Sequence, residues 1–119
     1  MEGIEVKFKG HDVYLFSKVL SKVGMSKFLA GIDDPQALVK DKKRANEAGK
    51  EMLALVSENM HLVESEVNTF LENVTGKKNI AELPFDEYEE LHGLVFLHKD
   101  FPSFFRSAFK LSVRLMVAH

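Results

Sequence analysis

The chain contains no cysteine, which removes disulfide frameworks, thiolate metal sites and cysteine nucleophiles together and is compatible with a reducing compartment. Its start, MEGIEVKFKG, has acids and no apolar stretch of signal-peptide length, so export by a cleaved signal is not expected and a cytoplasmic location is. There is no GxxxxGKS/T, GxGxxG or GxSxG, which leaves a phosphate cradle or a serine-hydrolase elbow without a foothold. Internal repeats and low-complexity segments are also missing. The three prolines, Pro35, Pro84 and Pro102, each fall where a helix would begin.

What is present is an ordinary globular composition, 45% hydrophobic and 29% charged, in 119 residues, enough for one domain (1–119) with a modest core. The net charge of −2 is unevenly spread. Residues 1–50 hold ten Lys/Arg against seven Asp/Glu, residues 51–90 two against ten, and residues 91–119 four against one. An acidic middle between basic ends can be neutralised within one fold or between copies of the chain.

IEVKF (4–8) alternates apolar and polar, and KGHD supplies a turn before VYLF, the pattern of a small N-terminal β-hairpin. Leu15, Val19, Leu20 and Val23 then fall at helical spacing with Gly24 as a stop, and SKFLAGI suggests a short second helix. In DDPQALV, Asp34 can cap and Pro35 can occupy the first helical position. From there an apolar stripe runs through Leu38, Ala45, Met52, Leu55, Val56, Met60, Val63, Val67, Phe70, Leu71 and Val74 to Gly76. Forty residues is long for one helix, so a break is expected near Asp41–Asn46 or near Asn59–Leu62. KKNIAELP reads as a loop, Pro84 opens an acidic-start helix with Tyr88, Leu91 and Val95 inward and Leu94, Phe96 and Leu97 widening that face, and Asp100-Phe101-Pro102 starts the last one. The fold class is mainly α, a compact bundle of five to six helices with that small hairpin as an addition.

Two pairs, Glu58/His61 and Glu89/His92, set a carboxylate and an imidazole one turn apart, as in di-iron helical bundles. The phase of the pattern puts Glu58 with Glu51, Ala54, Ser65, Asn68 and Glu72, on the polar side, so solvated surface pairs are expected and no metal or cofactor. His11, His98 and His119 have no regular ligand spacing. Lys40, Lys43 and Arg44 share a side that could meet phosphates, the basis of the alternative reading as a small DNA-binding regulator. No aromatic or amide residues accompany them, and no nucleic-acid partner is expected. Nothing in these residues proposes a reaction.

The final segment, FPSFFRSAFKLSVRLMVAH, is the most apolar part of the chain. Arg106, Lys110 and Arg114 lie four apart, drifting about 40° at each step, and mark one narrow cationic wedge. That wedge interrupts every window of about 20 apolar residues that a bilayer would need, so no membrane partner is expected. A helix apolar over most of its circumference is covered on several sides. Ten Phe and five Met, six of the Phe after residue 84, make an inventory suited to receiving apolar helices.

The order of these features, IEVKFKGHDVYL, a capped helical middle, LPFDEYEELHGLVFLHKD and then FPSFFRSAFKL, resembles the tail assembly chaperones of long-tailed bacteriophages, especially the tape-measure-protein chaperones of lactococcal siphophages. The resemblance implies a non-enzymatic chaperone that binds the hydrophobic helical tape-measure protein in the host bacterial cytoplasm, is displaced during tail-tube assembly, and is not expected in the mature virion. It supplies no motif that fixes binding residues. From the apolar pattern, the expected client-binding residues are Val95, Leu97, Phe101, Phe104, Phe105, Phe109 and Met116, with self-association through the complementary acidic and basic segments.

Overall fold

Phenylalanines from three parts of the chain meet at the centre of the molecule. Phe16, Phe70, Phe101, Phe104 and Phe105 are buried together, with ring centroids 5.1 Å apart for Phe16–Phe70 and 5.4 Å for Phe70–Phe104. The computed structural model describes residues 3–34 and 37–117, with the side chains of all these except 39, 116 and 117. Around the aromatic centre pack α1 (Gly10–Lys22), α2 (Met25–Ala30), α4 (Lys42–Glu58), α5 (Glu64–Thr75), α6 (Phe85–Phe96) and α7 (Phe101–Val117), with the single turn α3 (Ala37–Lys40) leading into α4. This is the expected mainly-α bundle. No helix among the described residues is long and apolar enough to cross a membrane.

The expected hairpin does not form: no strand occurs among the described residues, and α1 begins at Gly10, where the sequence suggested a turn. The alternation is real, since Ile4, Val6 and Phe8 are half-buried while Glu5 and Lys7 are exposed. It is satisfied against helices. Lys7 donates its backbone N–H to the Val74 carbonyl (2.8 Å), Lys9 Nζ reaches the Asn73 carbonyl (2.7 Å), and Phe8 stacks on the aromatic centre. These bonds occupy carbonyls of the last turn of α5, which lack intrahelical partners. The HD of KGHD serves α1: fully buried Asp12 receives the Lys9 backbone N–H at 2.9 Å, an N-terminal cap in reverse. Its other oxygen lies 3.3 Å from His11 Nε2 without an aligned hydrogen bond.

The long middle region breaks at both expected places. Asp41 ends α3 and caps α4, its carboxylate accepting the N–H groups of Lys43 (3.0 Å) and Arg44 (3.3 Å). At the other end Asn59 Nδ2 donates to the Leu55 carbonyl (2.9 Å), and a 3-10 turn, Met60–Leu62, redirects the chain into α5. The two redirections let one stripe stay inward: Leu38, Ala45, Met52, Val56, Val63, Val67, Phe70, Leu71 and Val74 are all buried. Gly76 closes α5 at φ +75°, the left-handed cap that favours glycine. The expected cap at Asp34 with Pro35 falls in part on residues outside the described ones.

The loop after α5 contains one 3-10 turn, Ile80–Glu82, that seats Ile80 fully in the core, with Glu72 Oε2 accepting the Ile80 N–H at 3.2 Å. Pro84 precedes α6, which buries Leu91 and Val95 and half-buries Tyr88, Leu94 and Phe96. Leu97, expected to widen that face, is 86% exposed because α6 ends before it.

On α7 the residues Phe101, Phe104, Phe105, Ala108, Phe109, Ser112 and Val113 are buried, an i, i+3, i+4, i+7 seam covered chiefly by α1, α3 and α4. Each buried phenylalanine contributes roughly 1.5–3 kcal/mol relative to exposure. Ser112, polar within this seam, donates to the Ala108 carbonyl (2.9 Å) and receives the Ser17 hydroxyl from α1, so its burial leaves no oxygen unsatisfied. Pro102, Ser103, Ser107, Arg114 and Leu115 face outward.

Candidate functional site

Along α4 the buried positions change from small to large: Ala45 and Ala48 in the first half, Met52 and Val56 in the second. Gly49 lies beside the small pair, and a Cβ there would sit 3.6 Å from Phe105 Cε1. Small side chains facing the phenyl rings of α7 leave the space between the helices incompletely filled. The result is a cleft of about 290 Å³ floored by Leu38, Ala45, Gly49, Phe105, Phe109 and Val113. This is at the lower bound of the ~300–1,000 Å³ range of ligand pockets and suits one or two inserted side chains better than a whole small molecule.

The rim carries Asn46, Lys50, Leu53, Pro102, Arg106 and Lys110. Leu53 is 37% exposed. None of Lys50, Arg106 and Lys110 is in an ion pair among the described residues, so the cleft combines an apolar floor with three uncompensated cations. Two members of the cationic wedge read from the sequence therefore border the cleft; Arg114 faces outward and does not line it.

The other residues singled out from the sequence are dispersed. Val95, Phe101, Phe104, Phe105 and Phe109 are buried inside this chain's own core, which makes them packing residues here; of these only Phe105 and Phe109 also reach the cleft floor. Leu97 stands alone at the end of α6, and the Met116 side chain lies outside the described residues. Lys40, Lys43 and Arg44 are exposed around the α3–α4 junction.

Glu58, His61 and Glu89 are exposed, and no group of three His, Asp or Glu able to hold a metal occurs among the described residues. His92 is half-buried between Tyr88 (centroids 4.5 Å apart) and Phe96 (5.6 Å), and burial pushes its pKa below the ordinary 6.5. Its Nε2 has no hydrogen-bond partner among the described residues. It acts as one ring in an aromatic ladder down α6. Burial, then the Glu64 charge, raises the Tyr88 pKa, while its hydroxyl donates to Asn68 Oδ1 and ties α6 to α5.

Sequence reasoning found the cations of α7 but not the cleft. The available signal was Gly49 inside EAGKEM, a glycine in a helix interior one turn after Ala45. No family model matches the chain, no curated protein matches it in sequence, and no solved structure matches it in fold.

Proposed function

We propose that the chain is a non-enzymatic chaperone of the phage tail assembly kind, which holds a hydrophobic helical tape-measure protein in the host bacterial cytoplasm by seating its apolar side chains in the α4/α7 cleft. The observation that carries this reading is the cleft itself: an apolar floor, an exposed Leu53 at its edge, and a backbone position, Gly49, that leaves room for an inserted side chain. Its helical walls and small volume fit side chains presented at i, i+3, i+4 and i+7. The order of sequence features supports the same reading by resemblance.

Burial alters which substitutions test it. Phe105→Asp would place a carboxylate against Phe16 and Phe101 and reports on folding, because a buried unpaired charge is costly. Gly49→Leu fills the cleft from the helix surface, and Leu53→Ser removes the exposed apolar edge. Co-expression with a tape-measure-type client should yield a soluble complex with the unaltered chain and an insoluble client with either variant. A client that stays insoluble beside the unaltered chain would contradict the proposal.

A further inference from the structure

An exposed residue elsewhere on the same protein matches the cleft in chemistry. Phe85, the first residue of α6, is 85% exposed. Of the two most exposed large apolar residues, Leu97 is followed by His98 and Lys99, whereas Phe85 is followed by Asp86 and Glu87 with Glu89 one turn on. Asp86, Glu87 and Glu89 are exposed and in no ion pair among the described residues. The Phe85 ring is therefore an apolar knob in an acidic collar, and the cleft an apolar socket with a cationic collar of Lys50, Arg106 and Lys110.

The knob is also held in place. Pro84 precedes it at φ −54° and ψ 148°, and the turn before Pro84 is anchored by fully buried Ile80, whose N–H is held by Glu72. A backbone already fixed at the knob lowers the ordering cost of docking. α6 packs on α5, while the cleft lies among α3, α4 and α7, so knob and socket occupy different surfaces of one molecule.

We propose that the α4/α7 cleft of one copy receives Phe85 of a second copy, with Asp86, Glu87 and Glu89 set against Lys50, Arg106 and Lys110. Because each copy offers one knob and one socket, the contact either closes as a two-fold dimer in which the two copies exchange knobs or runs head-to-tail into rings or open chains. The inference concerns the same cleft as the proposed client site, but it is tested on the chain alone, so its failure leaves the client reading standing and the reverse also holds.

Sedimentation velocity on the purified full chain over a wide concentration range should show mass increasing with concentration at low salt, with association weakened about tenfold or more at high salt by screening of the collars. Phe85→Ser and Gly49→Leu should each be monomeric with an unchanged helical spectrum. Their equimolar mixture should form a complex that stops at two chains, since one variant retains only the socket and the other only the knob. If Gly49→Leu does not fold, Lys110→Glu takes its place in the mixture as the chain that keeps its knob and loses its socket. A chain monomeric at every concentration, a Phe85→Ser variant that associates like the parent, or a mixture that stays monomeric would each overturn the proposal.

Discussion

Phe8 lies nearly parallel to Phe104, ring centroids 4.9 Å apart and planes 23° from each other, joining the extended N-terminal segment to the last helix across the length of the sequence. Phe8 also meets Phe70 and Phe101, so the segment closes one side of the aromatic centre. Phe8→Ala should cost about 2 kcal/mol, less than for a fully buried ring because Phe8 is half-buried. The urea midpoint should fall with an unchanged slope. An unchanged midpoint would mean that the segment contributes nothing to the core.

This segment shows what local pattern can decide. IEVKF has strand periodicity, and one face is indeed covered, but alternation does not say whether the cover is a strand or a helix. Here the end of α5 offers free carbonyls and the phenylalanines of α5 and α7 offer a surface. The helices were legible because their spacing recurs over many turns and their ends carry Asp41, Gly76 and Pro84. Two breaks in the middle region were legible as alternatives; that both are used follows from the need to keep one stripe inward around two corners. The cleft was not legible, because it depends on which residue of α7 faces Gly49. The same limit applied to the phenylalanines, whose spacing shows an apolar seam but not whether a neighbour in the same chain covers it.

Gly49 and Gly93 occupy helix interiors with negative φ, and added Cβ atoms would meet only ordinary contact at 3.6 Å for Gly49 and open space for Gly93. Each Gly→Ala change should raise stability by roughly 0.5–1 kcal/mol. A melting-temperature increase of about 3–5 °C per variant is expected. A decrease for Gly49→Ala would show that the α4–α7 approach is tighter than described.

Two groups give the stability curve an acid side in separate pH ranges. The unfolded imidazole of His92 takes its proton near pH 6.5, whereas the folded one, desolvated beside Tyr88 and Phe96, does so only at lower pH. Stability should therefore fall as pH drops through 6.5, and His92→Phe should flatten that portion. Glu66 is held below 4.5 chiefly by its hydrogen bond from Lys22, so its contribution is present above 4.5 and lost as pH falls below it. Lys22→Met should flatten only this lower range. Denaturant midpoints between pH 3 and 8 separate the two; a His92→Phe curve parallel to the parent's through pH 6.5 would contradict the assignment.

Lys42, Lys43 and Arg44 form the first turn of α4, where cations oppose the helix dipole, and no acid shares that turn. Asp41 supplies both the cap and a negative charge at this end of the helix. Asp41→Ala should cost about 1 kcal/mol, and Asp41→Asn less, since the amide oxygen can still accept the two N–H groups. Equal losses in the two variants, read from denaturant midpoints, would assign the effect to charge alone.

The central claim is that the α4/α7 cleft receives an apolar helix, and it is tested most directly by mapping where one binds. A synthetic amphipathic helix of about 20 residues, leucines at i, i+3, i+4 and i+7 and glutamates between, is titrated into the isotope-labelled Phe85→Ser chain and followed by backbone amide and methyl shifts. The account predicts saturable changes concentrated at Ala45–Leu53 and Pro102–Val113, absent in a chain also carrying Gly49→Leu. Changes centred on α5 and α6, or none at saturating peptide, would contradict it.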